Sequence, residues 1–157
     1  MWTGYDGAMA DDVGEFIEGF AVMLNQAGMQ RMAARVFGAL LAAQSEGLTA
    51  KQIGEVLGVS PAAVSGAVGY LSRTGLATRV RTPGGRVDHF VVDTTWAEAF
   101  AIETTRLHEL AGWLTKGAAS VPAGSPAHAR MSETRDFFEF IAAEMPKLID
   151  RWHATQG

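Results

Sequence analysis

One stretch of the sequence, Ala50–Gly69, limits the possible folds of this chain more than any other. Thr49, with a glutamine three residues later, forms a capping box and predicts that a short helix follows it. A second start signal lies at Ser60, because the next residue is a proline, which suits the first turn of a helix. Gly58 lies between the two predicted helices and can adopt the left-handed conformation of a tight turn. We therefore expect two short helices joined by a sharp bend.

Residue sizes within this stretch favour a helix-turn-helix. Gly54 has no side chain, so the two helices can cross at a short distance. The apolar residues have the spacing needed to close a small core between the helices, and they are Ile53, Leu57, Val59, Val64 and Val68. This combination is the sequence form of a helix-turn-helix, and the alternative is a tight helical hairpin of another kind.

The outward side of the second helix carries small residues. In a helix-turn-helix this helix enters the major groove of DNA, where serine hydroxyls and alanine methyls can meet base edges. No arginine or lysine precedes Arg73 in the helix, so we expect modest base readout and a phosphate contact from Arg73. Tyr70 fits a phosphate contact or packing within the protein equally well, and for the small-residue face the alternative is packing against another helix. The small residues predicted to contact DNA are Ser60, Pro61, Ala62, Ala63, Ser65 and Gly66.

A β-hairpin is predicted after the helix-turn-helix. Leu76–Thr82 and Arg86–Asp93 are short runs rich in valine and threonine, and Pro83-Gly84-Gly85 separates them. Valine and threonine favour strands, whereas the Pro-Gly-Gly sequence favours a turn. A hairpin in this position is the wing of a winged helix-turn-helix.

Three arginines make this wing basic. Arg79 and Arg81 alternate along the first strand and share a face, where we expect them to neutralise phosphate. Arg86 follows the glycine turn, and an arginine at such a tip is placed to enter a narrow minor groove. Asp88 is predicted to share a face with Arg86, where it can hold that arginine in place. The alternative is a solvated hairpin with surface arginines.

Four further helices are predicted around this region, two before the helix-turn-helix and two after the hairpin. Their apolar residues recur at helical spacing, and glycine, proline or capping residues mark their ends. They are a first helix from Asp11 or Asp12 to Ala27, opened by a capping box of Asp12 and Glu15; a second that ends near Gly47; a third from Thr95 to about Ala119; and a last that begins between Ala127 and Ser132 and reaches Trp152, with a kink or a new turn at Pro146.

Charge is distributed unevenly along the chain. The formal net charge is −4, yet residues 30–92 carry seven basic and three acidic side chains. Residues 1–29 carry five acidic side chains and no basic one, and residues 93–157 carry nine acidic and six basic side chains. A basic centre between acidic ends suggests that the central segment meets a polyanion.

Two arginines in the second predicted helix have two possible roles. Arg31 and Arg35 are four residues apart and share a face. In one interpretation they contact phosphate beside the groove or clamp an anionic effector. In the other they pair with the acidic first helix, through Glu15 or Glu18.

Several classes of protein are excluded by what the sequence lacks. Without cysteine it has no disulfide framework, thiolate metal site or thiol switch. Every apolar stretch is interrupted well short of the roughly 20 residues of a membrane span, and the first ten residues carry no base, unlike a secretory signal. The four histidines are scattered, and no nucleophile elbow, P-loop or dinucleotide motif is present. We therefore expect a cytoplasmic protein that is not an enzyme, with no cofactor, no bound metal and no membrane partner.

The chain resembles the MarR family of winged helix-turn-helix transcriptional regulators and, more narrowly, its GbsR-like branch. The resemblance rests on the layout of the predicted elements and on three segments, Gly28–Leu41, Leu57–Ser65 and Tyr70–Phe90. It extends over about residues 11–155. The wing departs from the family pattern, since many members carry Asp-x-Arg there and this chain has the reverse order, Arg86-Val87-Asp88.

The resemblance implies a mainly α-helical protein, with a two-stranded wing and dimerisation helices at both ends. It implies a homodimer bound to a pseudo-palindromic operator in double-stranded DNA, with recognition helices about 34–36 Å apart. The apolar aromatic residues exceed what a small central core needs, which agrees with a dimer. The predicted interface residues are Phe16, Phe20, Trp113, Phe137, Phe138, Ile141 and Trp152.

Four segments are predicted on this basis: a flexible tail (1–10), an N-terminal dimerisation helix (11–29), a DNA-binding winged helix-turn-helix (30–93) and C-terminal dimerisation helices (94–157). The predicted function is sequence-specific transcriptional regulation. Repression is favoured over activation, because blocking a promoter needs no further contact surface.

Two questions about partners stay open at this level. Members of the family often release DNA when a small molecule binds between the dimerisation helices and the helix-turn-helix. The aromatic residues suit an apolar or cationic effector, although dimer core explains them as well. The rival function is a winged helix that binds a protein instead of DNA, which the uncharged recognition face and the net charge of −4 favour slightly.

Overall fold

The computed structural model describes residues 7–81, 83–92 and 96–157. The chain divides into two compact units, Met1–Thr94 and Thr95–Gly157. Its elements confirm the predicted mainly helical winged helix-turn-helix fold. The first unit contains α1 (Gly7–Gln26), α2 (Arg31–Leu41), β1 (Leu48–Thr49), α3 (Ala50–Leu57), α4 (Pro61–Arg73), β2 (Ala77–Arg81) and β3 (Asp88–Val92), and the second contains α5 (Trp96–Ala119) and α6 (Pro126–Gln156).

The predicted helix-turn-helix is formed by α3 and α4. The capping box in front of α3 is complete, since the amide of Thr49 donates to Gln52 Oε1 at 2.8 Å and the amide of Gln52 donates to Thr49 Oγ1 at 3.2 Å. Ser60 caps α4 by accepting a hydrogen bond from the amide of Ala63 at 3.3 Å. Gly58 ends α3 with a φ of 64°, which is the left-handed conformation expected for the turn.

The closest approach inside the helix-turn-helix is at Gly54, as its lack of a side chain predicts. The residue is buried, and a Cβ placed on it would lie 2.9 Å from the carbonyl oxygen of Val59. That oxygen belongs to the backbone of the turn, so it cannot rotate away as a flexible side chain can. The contact therefore requires glycine at this position.

We expect Gly54→Ala to lower the free energy of unfolding by about 1–2 kcal/mol. Overpacking of this kind costs about 1–3 kcal/mol, and the better helix propensity of alanine offsets up to about 1 kcal/mol of it. Gly66→Ala is the matched control, because Gly66 is also helical but has no atom within 4 Å of an added Cβ. Urea unfolding followed by circular dichroism compares the two, and equal stabilities would contradict the close contact.

The wing belongs to a three-stranded antiparallel sheet, whereas the sequence predicted two strands. β2 pairs with β3, with Arg81 opposite Asp88. β1 pairs with the other edge of β3, with Leu48 opposite Phe90, so the strand order is β1-β3-β2. A two-residue strand is too short to show alternation. β1 lies just after Gly47, where the second helix was predicted to end, and that helix in fact ends at Leu41.

The start of α1 is earlier than predicted. The helix is already present at Gly7, so residues 7–10 of the predicted tail are helical, and Asp12 lies inside the helix and does not cap it. Two alanines in this first stretch are strong helix formers, which explains the longer helix. Residues 1–6 lie outside the described part of the chain.

The inner face of α1 packs into the same core as the helix-turn-helix. Ile17 is 2% exposed, and a Cβ on Gly38 of α2 would lie only 3.4 Å from the Cα atom of Ile17. The Phe20 ring lies 6.0 Å from the ring of Phe37, measured between centroids. α1 is therefore part of the first compact unit.

The second unit is a helical hairpin of α5 packed against α6. α6 begins at Pro126, and Ser125 caps it by accepting a hydrogen bond from the amide of His128 at 3.2 Å. This Ser-Pro pair is the same start signal as at the beginning of α4, so the start predicted within 127–132 is late. The helix continues through Pro146 to its end at Gln156.

Three residues predicted at the ends of elements, Thr82, Asp93 and Thr95, lie outside the described ranges. Among the helices within those ranges, none is long and apolar enough to cross a membrane.

Candidate nucleic-acid interface

The outward face of α4 is small and largely exposed. Pro61, Ala62, Ser65 and Gly66 are exposed, and Ala63 is half-buried. The opposite face carries the buried residues of the helix-turn-helix core, which are Val64, Ala67, Val68 and Leu71. The helix therefore presents the predicted DNA-contacting residues on the side away from the core, with the Ser60 hydroxyl engaged as the N-cap.

The two larger residues late in α4 have different surroundings. Tyr70 is half-buried and packs against the core, which is the second of its two predicted roles. Arg73 is exposed in the last turn, and its Nη1 atom lies over Gly69, where an added Cβ would come within 3.5 Å of it. Arg73 is therefore accessible to a phosphate.

The wing carries a compact group of charges that the sequence did not predict. Asp88 was expected to hold Arg86, but its carboxylate pairs with the two arginines of β2. Arg81 Nε and Nη2 both lie 2.7 Å from Asp88 Oδ1, and Arg79 Nη1 lies 3.5 Å from Oδ2. The strand register explains this correction, because Arg81 lies directly opposite Asp88 and Arg79 one pair further along.

The hydrogen bond from Arg81 lowers the pKa of the Asp88 carboxyl below its ordinary value of 3.8, although partial burial opposes this shift. The positive charges of Arg81 and Arg79 lower the pKa of Asp88 further. The same hydrogen bond raises the pKa of Arg81. At neutral pH the group therefore carries two positive charges and one negative charge.

The pKa shift of Asp88 has a consequence for stability. A carboxyl with a lowered pKa stabilises the fold above its ordinary pKa, and this contribution is lost as the pH falls through the folded-state pKa. We expect the difference in unfolding free energy between the wild type and Asp88→Asn to shrink as the pH falls below 3.8. Urea unfolding at a series of pH values measures it, and a difference that does not shrink between about pH 5 and about pH 3 would contradict the assignment.

Arg86 lies in the loop between β2 and β3. It is exposed, next to Val87, which is 55% exposed. Within the described part of the chain, Arg86 has no ion-pair partner. Its guanidinium is therefore available to an external anion.

Arg35 and Arg31 differ in their surroundings. Arg35 Nε lies 2.7 Å from Glu18 Oε1, and its Nη2 donates to the carbonyl oxygen of Leu57 at 3.1 Å. This is the pairing with the acidic first helix, and it also satisfies a carbonyl at the end of α3. Arg31 is exposed at the start of α2 and stays a predicted phosphate contact.

The predicted dimer residues fall into exposed and half-buried groups. Trp113, Phe137 and Trp152 are 70%, 59% and 57% exposed, and Phe16 is 43% exposed. Phe20, Phe138 and Ile141 are half-buried, and Phe20 contributes to the core of the first unit. Exposed apolar residues of α5 and α6 that the prediction omitted include Leu110, Phe140 and Leu148, which lie at helical spacing from Trp113 or Phe137.

Two family models, both of the MarR family, match different parts of the chain. The MmpR5-like MarR family transcriptional regulators match residues 94–155, and the MarR family matches residues 27–86. No curated protein gives a significant match. No group of three histidine, aspartate or glutamate side chains within the described ranges is arranged to hold a metal ion.

Solved structures are similar to the chain in fold. A crystal structure of a transcriptional regulator is 21% identical, covers 91% of this chain and 99% of its own, and has a TM-score of 0.82. A Staphylococcus aureus MepR–DNA complex is 18% identical and covers 85% of this chain and 96% of its own, with a TM-score of only 0.41. The GbsR-like branch stays a prediction. The two family matches lie on either side of the wing's second strand, and together they extend over both compact units. They show that the chain belongs to the MarR family of transcriptional regulators.

Proposed function

We propose that this protein is a cytoplasmic, sequence-specific DNA-binding repressor that occupies a pseudo-palindromic operator as a homodimer. The observation that carries the proposal is the exposed small-residue face of α4 in the same compact unit as a basic wing. A helix without bulky outward side chains can approach base edges closely, and the wing supplies the positive charge that the helix lacks.

Each part of this surface has a separate role. Ser65 and Ala62 approach base edges in the major groove, where a hydroxyl can donate or accept and a methyl can meet thymine. Arg73 and Arg31 neutralise phosphate at the two sides of the helix-turn-helix. Arg86 enters the minor groove, because its guanidinium is exposed and has no ion-pair partner in the described residues.

The homodimer is supported by the exposed apolar side chains of the second unit. Trp113 on α5 and Phe137 on α6 are large and more than half exposed, which is unusual for a surface in water. A twofold axis would bury the same side chains of both protomers at once. An inverted repeat requires the two recognition helices of such a dimer to lie about one DNA turn apart.

An effector that releases DNA is part of the proposal. One face of α1 presents a shallow, open apolar patch of Phe16, Phe20 and Met23 beside the carboxylates of Asp12 and Glu15. Aromatic rings beside carboxylates suit an apolar cation. Addition of such a molecule should release the protein from bound DNA, and Glu15→Gln should weaken this response.

Salt dependence tests the DNA-binding function. If about 6–10 phosphates are contacted, the affinity for operator DNA should fall by roughly 10³-fold or more between 50 and 200 mM salt. The operator would first be isolated by pulling down fragments of genomic DNA and sequencing those that share an inverted repeat. Recovery of no enriched fragment at low salt would overturn sequence-specific binding.

We expect Arg86→Ala to weaken operator binding by about tenfold and to reduce the salt slope by about 1, because one phosphate-region contact is lost. The dimer should be unaffected, since Arg86 lies in the wing. Fluorescence anisotropy gives the affinity, and light scattering gives the oligomeric state. Arg106→Ala, on an exposed residue of α5 paired with Glu103, is the control and should leave the affinity unchanged.

A protein-binding module is the second candidate function. It is favoured by the lack of arginine or lysine on α4 before Arg73 and by the net charge of −4. An apolar protein interface responds little to salt, so binding that is insensitive to salt would support this candidate over DNA binding.

A further inference from the structure

The carboxylate of Asp88 occupies the edge of Arg81 that binds phosphate best. Arginine grips phosphate or a base edge through two neighbouring N–H groups that point the same way. In Arg81 the Nε and Nη2 atoms form such a pair, and both lie 2.7 Å from the same Asp88 oxygen. A phosphate that approaches this edge must therefore displace Asp88.

The second arginine of β2 is bound less tightly. Arg79 Nη1 lies 3.5 Å from the other carboxylate oxygen, and the Arg79 guanidinium also lies 5.7 Å from the centre of the Phe90 ring. Its position over the ring does not depend on Asp88. A phosphate can therefore reach Arg79 more easily than Arg81.

We propose that Asp88 is an internal competitor of DNA phosphate, which limits the affinity of the wing for DNA of any sequence. The inference rests on the proposed DNA-binding function and adds a residue that controls its strength. Non-specific binding is almost wholly electrostatic, so a carboxylate that neutralises one of two arginines lowers it directly. The protein would then spend less time on the large excess of unrelated sites in a genome.

Stability alone does not explain this arrangement. The Asp88 side chain is 21% exposed, but those of Arg79 and Arg81 are 63% and 61% exposed, and an ion pair whose cation is open to water adds little to the stability of a fold. A cross-strand neighbour of Arg81 without charge would leave both arginines free for DNA. Asp88 therefore lowers the affinity for DNA and stabilises the wing only slightly.

The test uses the full-length protein and a labelled 24-base-pair duplex of mixed sequence, so that no operator is needed. Asp88→Asn keeps the shape of the side chain but removes its charge, and a neutral amide competes weakly with phosphate. We expect it to bind the duplex about tenfold more tightly than the wild type at 50 mM salt and about threefold more tightly at 200 mM. The salt slope should steepen by about 0.9, the value for one additional phosphate contact.

Glu103→Gln is the matched control. It removes the same charge from an exposed ion pair, in which Glu103 lies 2.9 Å from Arg106 on α5. If the gain came from net charge alone, both variants would show it. We expect the affinity and salt slope of Glu103→Gln to equal those of the wild type.

A double variant identifies the arginine that is released. Asp88→Asn combined with Arg81→Gln has the net charge of the wild type and should return to the salt slope of the wild type. If Asp88→Asn does not fold, as judged by circular dichroism, Asp88→Thr replaces it, because threonine suits a strand and carries no charge.

The outcomes separate the inference from the proposed function. Tighter binding by Asp88→Asn with a steeper slope, reversed by the double variant, supports the inference. If the wild type binds the duplex and Asp88→Asn has the same affinity and slope as Glu103→Gln, the competitor role is overturned while DNA binding stands. If the wild type does not bind the duplex at 50 mM salt, the proposed function itself fails.

Discussion

Replacing both Trp113 and Phe137 with glutamate is expected to convert the proposed dimer into monomers and to weaken operator binding by at least about a hundredfold. The two side chains are 70% and 59% exposed in one chain, which is the state expected of residues that a partner copy covers. A carboxylate buried in an apolar interface without a partner costs several kcal/mol, and a twofold axis repeats each substitution in the second protomer. A monomer reaches only one half of an inverted repeat and loses the avidity of two linked sites.

Light scattering measures the oligomeric state of this double variant, and anisotropy measures its affinity for operator DNA. Ala143→Glu is the control, because residue 143 is exposed on α6 and lies on a different side of that helix from Phe137. A double variant that remains dimeric at micromolar concentration would show that the exposed aromatic residues of the second unit do not form the interface. Circular dichroism checks that the double variant keeps its helical structure.

Phe37→Ala is expected to have the largest effect on the stability of the first unit, a loss of about 3–5 kcal/mol. The side chain is 2% exposed and contacts the Phe20 ring of α1, with 6.0 Å between ring centroids. Truncation would remove the buried ring and leave a cavity between α1 and α2, and both effects reduce stability.

Urea unfolding at fixed protein concentration measures this loss. Val87→Ala, which shortens a wing side chain that is 55% exposed, is the control and should change stability by less than about 0.5 kcal/mol. A loss below about 1 kcal/mol for Phe37→Ala would mean that α1 is not firmly packed on α2. Phe20, the other ring of this contact, lies on α1. The result therefore also tests how firmly α1 packs within the first unit.

Most of the fold could be predicted because its signals are local. The capping box at Thr49 and the Ser-Pro pair at Ser60 act within one helical turn, and the structure shows both caps as expected. The glycine at position 58 adopts the left-handed conformation that its place in the turn predicts. The same rule applied at Ser125 would have placed the start of α6 correctly.

Two features of the fold could not be predicted, and the reasons differ. β1 contains two residues and exists only because Leu48 pairs with Phe90 on β3. The early start of α1 depends on two alanines ahead of Asp12, whereas the capping box of Asp12 and Glu15 predicted a later start. Neither feature leaves a periodic pattern that a sequence could show.

The sequence by itself determined the helix-turn-helix, the wing and the positions of the arginines, because turns, caps and periodicity are properties of neighbouring residues. Only the tertiary structure decided which arginines are available. It paired Arg35 with Glu18, placed Asp88 against Arg81 instead of Arg86, and left Arg86 exposed. The reason is physical, because an ion pair depends on the distance between two side chains. Strand register sets that distance for Arg81 and Asp88, which are 7 residues apart in the sequence. Helix packing sets it for Glu18 and Arg35, which are 17 residues apart.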